Sequence, residues 1–450
     1  MLGPLLQYQS LKTVLLHTEA NTRFRISTHM PSIRDVEKRI PLRMRSLDMS
    51  NDYITIVDNT SYQVDVIRYH HEGNVPMPIK KDQEWIMSHP DYDEFGFPFI
   101  GGSNVMLPGD VSFQMENRPE FRRDTEENER EYRDQLRIHE EALKMQEKLK
   151  SNGITGKDHL KSIGPTPTER RFRDILAQAF SPEQLSRRIE NYKRALLPFD
   201  CRRNNTKPPF TCYVQLTITK GESKQIHRFE YNKKLFEASK SLHEALFGRR
   251  TVPIQVGRLV LNGWVTIYRL PTGFRVHTNH INTSHYTLTH ESFPSLVENS
   301  ESLESLEMVF YGRGDAFETE IVRRAKTLVI EDALNFEMQI LTEGIRHLPN
   351  LEITIVKLGS SPEETFILIQ AWLTADRPVG ASFCIEVKDE ETAENILRLV
   401  QTRYERTNTT NRCVSIQMAN FTALELFYAP YTPPLKSIFK GILRTRIVKI

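Results

Sequence analysis

A chain of 450 residues exceeds what one hydrophobic core holds and implies two or three domains. Apolar residues at 39%, charged residues at 26%, 23 Phe and 15 Tyr are globular values and exclude a disordered polymer. Lys and Arg number 60 against 58 Asp and Glu, so the basic excess that neutralises nucleic-acid phosphates is missing.

The segment MLGPLLQYQSLKTVLLHTEA lacks the basic start and unbroken apolar run of a secretory signal. No stretch reaches the ~20 apolar residues of a membrane helix, and the best run, Phe366 to Leu373, is interrupted by Gln370. Four cysteines, Cys201, Cys212, Cys384 and Cys413, are too sparse for a disulfide framework. A cytoplasmic or nuclear protein without membrane contact is expected.

Residues 1–45 read as short helices. Tyr8, Leu11, Val14 and Leu15 recur at helical spacing, and Ile33, Val36 and Ile40 align in PSIRDVEKRI, with Ser32 as N-cap and Pro41 as stop. From Ser46 to Val66 the period drops to two, which predicts two strands joined at Asp58-Asn59. Residues 70–118 mix turn formers with Trp85, Tyr92, Phe95, Phe97 and Phe99 and predict an ordered irregular wrap.

Residues 119–150 form the clearest helix, rich in Glu-to-Arg and Glu-to-Lys pairs three and four apart. Its apolar positions (Phe121, Tyr132, Leu136, Leu143, Leu149) suit one docked stripe better than a coiled-coil seam. A linker at 151–168 follows, and helices around 168–196, with Thr168 or Ser181 as cap.

From about 209, strand-like bursts alternate with helical patterns near 233–247, 292–304, 335–347, 362–375 and 389–404. Strands starting at Leu306, Thr327, Leu351 and Ser382 lie 21, 24 and 31 residues apart, near a leucine-rich-repeat period. The repeat's asparagine motif is missing, so an irregular α/β solenoid and a mixed sheet flanked by helices both fit. The fold class is α+β: helical N-terminus, small β or irregular domain, long charged helix, then a leucine-rich-repeat-like or mixed-sheet domain. The domains are 1–150 and 169–450.

Chemistry-bearing motifs are scarce. The chain has no GxxxxGK[ST], no GxGxxG and no GxSxG. His277, His280, His285 and His290 fall within fourteen residues, but their spacing matches no common zinc module, and His277 and His280 would point to opposite strand faces. Asp91, Asp93 and Glu94 in HPDYDEFGF could serve acid–base work if buried, while side-chain caps to loop amides are the commoner role. No cofactor and no catalytic residue is expected.

Five segments in order, PLLQYQSLKTVL (4–15), RISTHMPSIRDVEKRIPLRMRSLDM (25–49), DEFGF (93–97), LPGDVSF (107–113) and EFRRDTEENEREYRDQLRIHEEAL (120–143), resemble the nematode F-box C family and its associated domain of unknown function. CYVQLTI (212–218), YNKKLFEASKSLHEALFGRR (231–250) and CVSIQM (413–418) resemble the C-terminal half of such proteins. The resemblance implies an adaptor that recruits a target protein to a cullin-type ubiquitin ligase through a Skp-family protein. The positions it implies for adaptor contact are Pro4, Leu5, Tyr8, Leu11, Val14, Leu15, Ile26, Ile33 and Val36. Exposed apolar stripes on short helices suit helix-in-groove recognition. The same stripe would equally serve as the domain's own core. The leading expectation is thus a non-enzymatic interaction protein. Its alternative is a scaffold or regulatory protein without a ligase link, using helix 119–150 as a docking rod, with an enzyme third.

Overall fold

The computed structural model describes residues 8–51, 53–70, 91–99, 105–113, 124–151, 181–261, 267–284, 293–298, 302–310, 314–332, 338–356, 358–374, 377–404, 407–410, 412–418, 422–430 and 441–450. Pro4, Leu5, Trp85, Thr168, His285, His290 and linker residues 152–168 lie outside them.

Three short helices come first: α1 (Tyr8–Leu16), α2 (Ala20–His29) and α3 (Arg34–Lys38), the last entered through a 3-10 turn at Pro31–Ile33. Ser32 lies inside that turn and is not the cap expected of it. Pro31 opens the turn, where a missing N–H costs nothing. Three strands follow where two were expected: β1 (Arg43–Asn51), β2 (Ile54–Val57) and β3 (Thr60–His70). The β2–β3 hairpin turns at Asp58-Asn59, with Asp58 left-handed at φ 55°.

Three short strands, β4 (Asp91–Tyr92), β5 (Pro98–Phe99) and β6 (Val111–Ser112), punctuate the described parts of the irregular wrap. The long charged helix is α4 (Glu126–Ser151), and α5 (Pro182–Asn204) packs along it. Ser181 caps α5 in a reciprocal capping box with Gln184. Phe97, Leu196 and Phe199 form the seam with Tyr132 and Leu136 of α4, flanked by Arg133–Asp200 at 2.6 Å and Lys193–Glu140 at 3.1 Å. The apolar stripe of α4 is therefore used inside the chain.

The remaining elements are β7 (Phe210–Lys220), β8 (Ser223–Glu230), α6 (Leu235–Phe247), β9 (Ile254–Leu261), β10 (Ile267–Tyr268) and β11 (Val276–Ser284). Next come α7 (Phe293–Leu296), β12 (Ser305–Phe310), α8 (Glu320–Arg324), β13 (Thr327–Asp332), α9 (Met338–His347), β14 (Glu352–Val356), α10 (Pro362–Leu373) and β15 (Ser382–Val387). The chain closes with α11 (Glu390–Arg403), β16 (Thr407–Thr410), β17 (Cys413–Gln417), β18 (Thr422–Pro430) and β19 (Gly441–Lys449). The helix expected over 292–304 shrinks to the four residues of α7.

Fifteen of the described strands make one sheet, in the order β16-β17-β18-β19-β15-β14-β13-β12-β11-β9-β1-β2-β3-β7-β8. Its centre is parallel and stacked in chain order from β9 through β11 to β15, with β1 alongside β9. The last four of these strands start at Ser305, Thr327, Glu352 and Ser382, within a residue of the starts read from the sequence. Antiparallel strands close both ends. The α+β class holds, as a solenoid-like centre inside a mixed sheet. Arg43 to Asp48 pair with Gln255 to Val260, so the sheet runs unbroken from the N-terminal segment into the C-terminal half.

Right-handed crossovers that always step the same way place their helices on one face of the sheet. The burial pattern agrees. Leu306, Met308, Phe310, Leu328, Ile330, Ile353, Ile355, Phe383 and Ile385 are buried, whereas Ser305, Glu307, Val309, Thr327, Val329, Thr354 and Val356 are only half-buried. Strands of the usual doubly covered parallel sheet are apolar on both faces. Across β12, β13 and β14 one face is buried and the other only half-covered, whereas Cys384 and Glu386 of β15 are buried on that second face as well.

Candidate functional site

The N-terminal helices are fastened by a buried charge cluster. Arg23 on α2 bonds Glu37 Oε1 through Nε at 2.9 Å and the carbonyls of Glu37, Ile40 and Pro41 at 2.7–3.0 Å. Lys38 donates to the carbonyls of Ala245 and Leu246 at the C-terminal end of α6, each at 2.9 Å, and Arg250 reaches Glu37 at 2.9 Å. Carbonyls exposed at a helix C-terminus carry partial negative charge, which is why two cations settle on that end of α6. Burial, then the neighbouring Arg250, pushes Lys38 down to about 8, and burial lowers Arg23 and Arg250. Phe24 packs edge-on against Tyr62 and Phe247, and Tyr62 donates to Asn21 at 2.9 Å.

This anchoring decides which apolar residues remain outside. Leu15 is 1% exposed and belongs to the interior, so its expected place in a contact stripe is corrected. Helical spacing groups residues on one side but does not say which of them point inward. Leu11 and Val14 on α1, Ile26 on α2 with Met30 just after it, and Ile33 and Val36 at the start of α3 all keep exposed area. Val14 and Met30 are each 51% exposed. Each pair is three or four residues apart, so each helix presents one such pair outward. Tyr8 opens α1.

The half-covered sheet face is the second candidate. Its middle carries Glu307, Glu331 and Glu352, with Arg258 on Glu307 at 2.7 Å and Thr327 donating to Glu352 at 3.0 Å. Towards β18 and β19, Arg446 pairs with Glu425 at 2.7 Å and lies over the Phe427 ring. His280 is exposed at the other end, beside Arg258. Among the described residues no three His, Cys, Asp or Glu are grouped to hold a metal.

The acids of HPDYDEFGF divide their roles. Asp93 accepts from the amides of Phe95 and Phe97 at 3.0 and 2.8 Å, the loop-capping role. Asp91 is buried, and burial raises its pKa. It accepts from the Leu235 amide at the start of α6 and from Tyr231 Oη, both at 2.7 Å. Nearby, burial pushes the Cys212 thiol up to about 11, and Lys234 donates to the Tyr92 carbonyl at 3.0 Å. The three acids do not converge on one point, since Glu94 is exposed to solvent.

A second buried cluster escaped sequence reading. Asp110 takes Lys240 of α6 at 3.0 Å and Arg269 at 2.7 Å, and also accepts from the Leu107 amide at 2.9 Å. Lys240 also donates to the carbonyls of Pro108 and Leu270, and Arg269 to that of Val105. His243, one turn along α6, lies between the Arg269 carbonyl at 2.8 Å and Thr55 Oγ1 at 2.6 Å. The LPGD turn was the only signal, and it does not name its distant partners.

With this geometry in place, comparison with known proteins identifies one segment. Residues 234–389 match the domain of unknown function DUF3557. The DUF3557 segment begins at the residue before α6 and ends at Asp389, the N-cap of α11. It contains both α6 partners Lys240 and His243 and every parallel strand of the centre except β1. It lies in the C-terminal half, beyond the region 1–150 in which the resemblance placed its domain of unknown function. No curated protein and no solved structure matches the chain. Among the described residues no helix is long and apolar enough to cross a membrane.

Proposed function

We propose that the chain is a non-catalytic interaction protein, a substrate-recruiting adaptor of the F-box type that joins a target protein to a cullin-type ubiquitin ligase. In this reading the outward pairs Leu11/Val14, Ile26/Met30 and Ile33/Val36 dock a Skp-family adaptor, and the half-covered face of the DUF3557 sheet holds the target in the cytoplasm or nucleus. The observation that carries it is the exposure of Val14 on α1, beside the buried Leu15, and of Met30 just after α2, which Arg23 ties to Glu37 of α3. Pinned helices present an apolar surface without the entropy loss of folding on contact, which favours a groove-binding partner. Scattered single apolar residues are ordinary on a surface, and the reading takes the three pairs to act together as one docking patch.

Co-expression with a Skp-family protein tests it. A stoichiometric complex is expected, lost in Val14→Asp/Met30→Asp while melting is unchanged. If no Skp-family protein co-purifies with the intact chain even on overexpression, the ligase reading is wrong. The scaffold or regulatory reading, with no ligase link, then stands in its place.

A further inference from the structure

The two edges of the large sheet are finished differently. At one end β16 offers four residues, Thr407–Thr410, all Thr or Asn. At the other, β8 offers eight residues, every one exposed, and among the described residues it pairs with β7 alone. Ile226 and Phe229 on β8 are 46% and 55% exposed. Soluble proteins commonly shorten, cover or twist away such an edge, because its unpaired backbone groups template another strand.

The hairpin turn decides which backbone groups are free. Lys220 and Ser223 face each other across Gly221-Glu222, with Gly221 at φ 56°. Residues flanking a two-residue hairpin loop exchange both backbone hydrogen bonds, and bonded and non-bonded pairs alternate from there. Ser223, Gln225, His227 and Phe229 thus bond to β7. Lys224, Ile226, Arg228 and Glu230 turn their N–H and C=O groups outward. The Glu230 carbonyl takes the Asn232 N–H at 2.9 Å, so at Glu230 the free edge ends with the outward N–H.

We propose that β8 pairs antiparallel with β8 of a second copy of this chain, about a twofold axis through His227. The charges select that register. It sets Lys224 opposite Glu230 of the second copy, twice by symmetry, and Ile226 opposite Arg228. Sliding two residues one way sets Lys224 against Arg228, and sliding two the other way sets Arg228 against itself. Opposite charges across a strand pair are favourable and like charges are not. A slide of one residue brings outward backbone groups against inward ones and makes no ladder. The interface is isologous and closes as a dimer.

Sedimentation analysis of the full chain tests the pairing. A small interface of this kind gives a concentration-dependent dimer. Lys224→Glu is expected to abolish it and Lys224→Glu/Glu230→Lys to restore it. Ile226→Pro removes an outward N–H without touching the β7 ladder, so it is expected to give a monomer that melts as the parent does. A parent chain that stays monomeric at about 0.1 mM, a dimer indifferent to these changes, or a charge swap that fails to restore it would each overturn the proposal.

Discussion

Two buried ion clusters grip the same helix, α6, and they are built on different terms. At mid-helix, Asp110 holds Lys240 and Arg269 on its two oxygens, and the carbonyls of Pro108, Leu270 and Val105 take further donors of the same two cations. At the C-terminal end, one carboxylate, Glu37, faces Arg23, Lys38 and Arg250, and the excess positive charge rests on helix-end carbonyls. Glu37 Oε2 and the Nε and Nη1 of Arg250 have no hydrogen-bond partner there. A carboxylate with a cation on each oxygen makes every member indispensable, whereas one facing three cations has a member it can lose. Buried ions cost several kcal/mol each to desolvate, and their mutual attraction together with good hydrogen bonds offsets that.

The largest effect is expected at the mid-helix cluster. Asp110→Ala strands two buried cations and should cost about 3–5 kcal/mol in a urea unfolding series. Arg23→Met, which removes four hydrogen bonds and leaves Glu37 to Arg250 and Lys38, should cost about 3 kcal/mol by the same measurement. If Arg23→Met costs more than Asp110→Ala, the ranking of the clusters is wrong.

Acid should attack the mid-helix cluster selectively. Burial holds His243 down at about 4, against 6.5 for the free side chain. Between those pH values the unfolded chain takes up a proton that the folded chain refuses, so stability falls as pH drops through that window. The loss is on the order of 2–3 kcal/mol and should be missing from the same titration of His243→Gln. Base should strengthen the helix-end cluster. Lys38, held at about 8 against 10.5, binds its proton less tightly folded than unfolded, so its contribution rises between pH 8 and 10.5. The difference in unfolding free energy between parent and Lys38→Met should shift by on the order of 2 kcal/mol across that range.

The smallest effect separates the clusters most sharply. Arg250→Met should change stability by less than about 1 kcal/mol, because an apolar side chain of similar volume relieves two unpaired donors and some cationic excess. A cost near that of Arg23→Met would mean that Arg250 is as tightly satisfied as its neighbour.

Much of the centre was legible because its signals are local. Leu306, Met308 and Phe310, or Ile353 and Ile355, alternate with polar neighbours and announce strands, and Ser361 and Asp389 cap the helices that follow. The strand β8 went unread because SKQIHRFE is exposed on both faces and carries no core period. By contrast, β19 alternates Leu443, Thr445 and Ile447 with Arg444 and Arg446 and was readable, though unread. At the candidate site, the stripe of α1 was legible, but the inward turn of Leu15 and the outward turn of Val14 were not. That choice depends on where α1 lies against the rest of the chain.

By itself the sequence determined the α+β class, the repeat spacing near 305, 327, 352 and 382, the hairpin at Asp58-Asn59 and the one-sided character of the long charged helix. All of these follow from side-chain periodicity and turn chemistry within a few residues. Only the tertiary structure decided that β1 joins β9 across some two hundred residues, that one face of β12 to β14 is only half-covered, and that Asp110 and Glu37 collect cations from distant segments. Pairings at such separation are selected by burial of the whole chain, because no local preference distinguishes one distant partner from another.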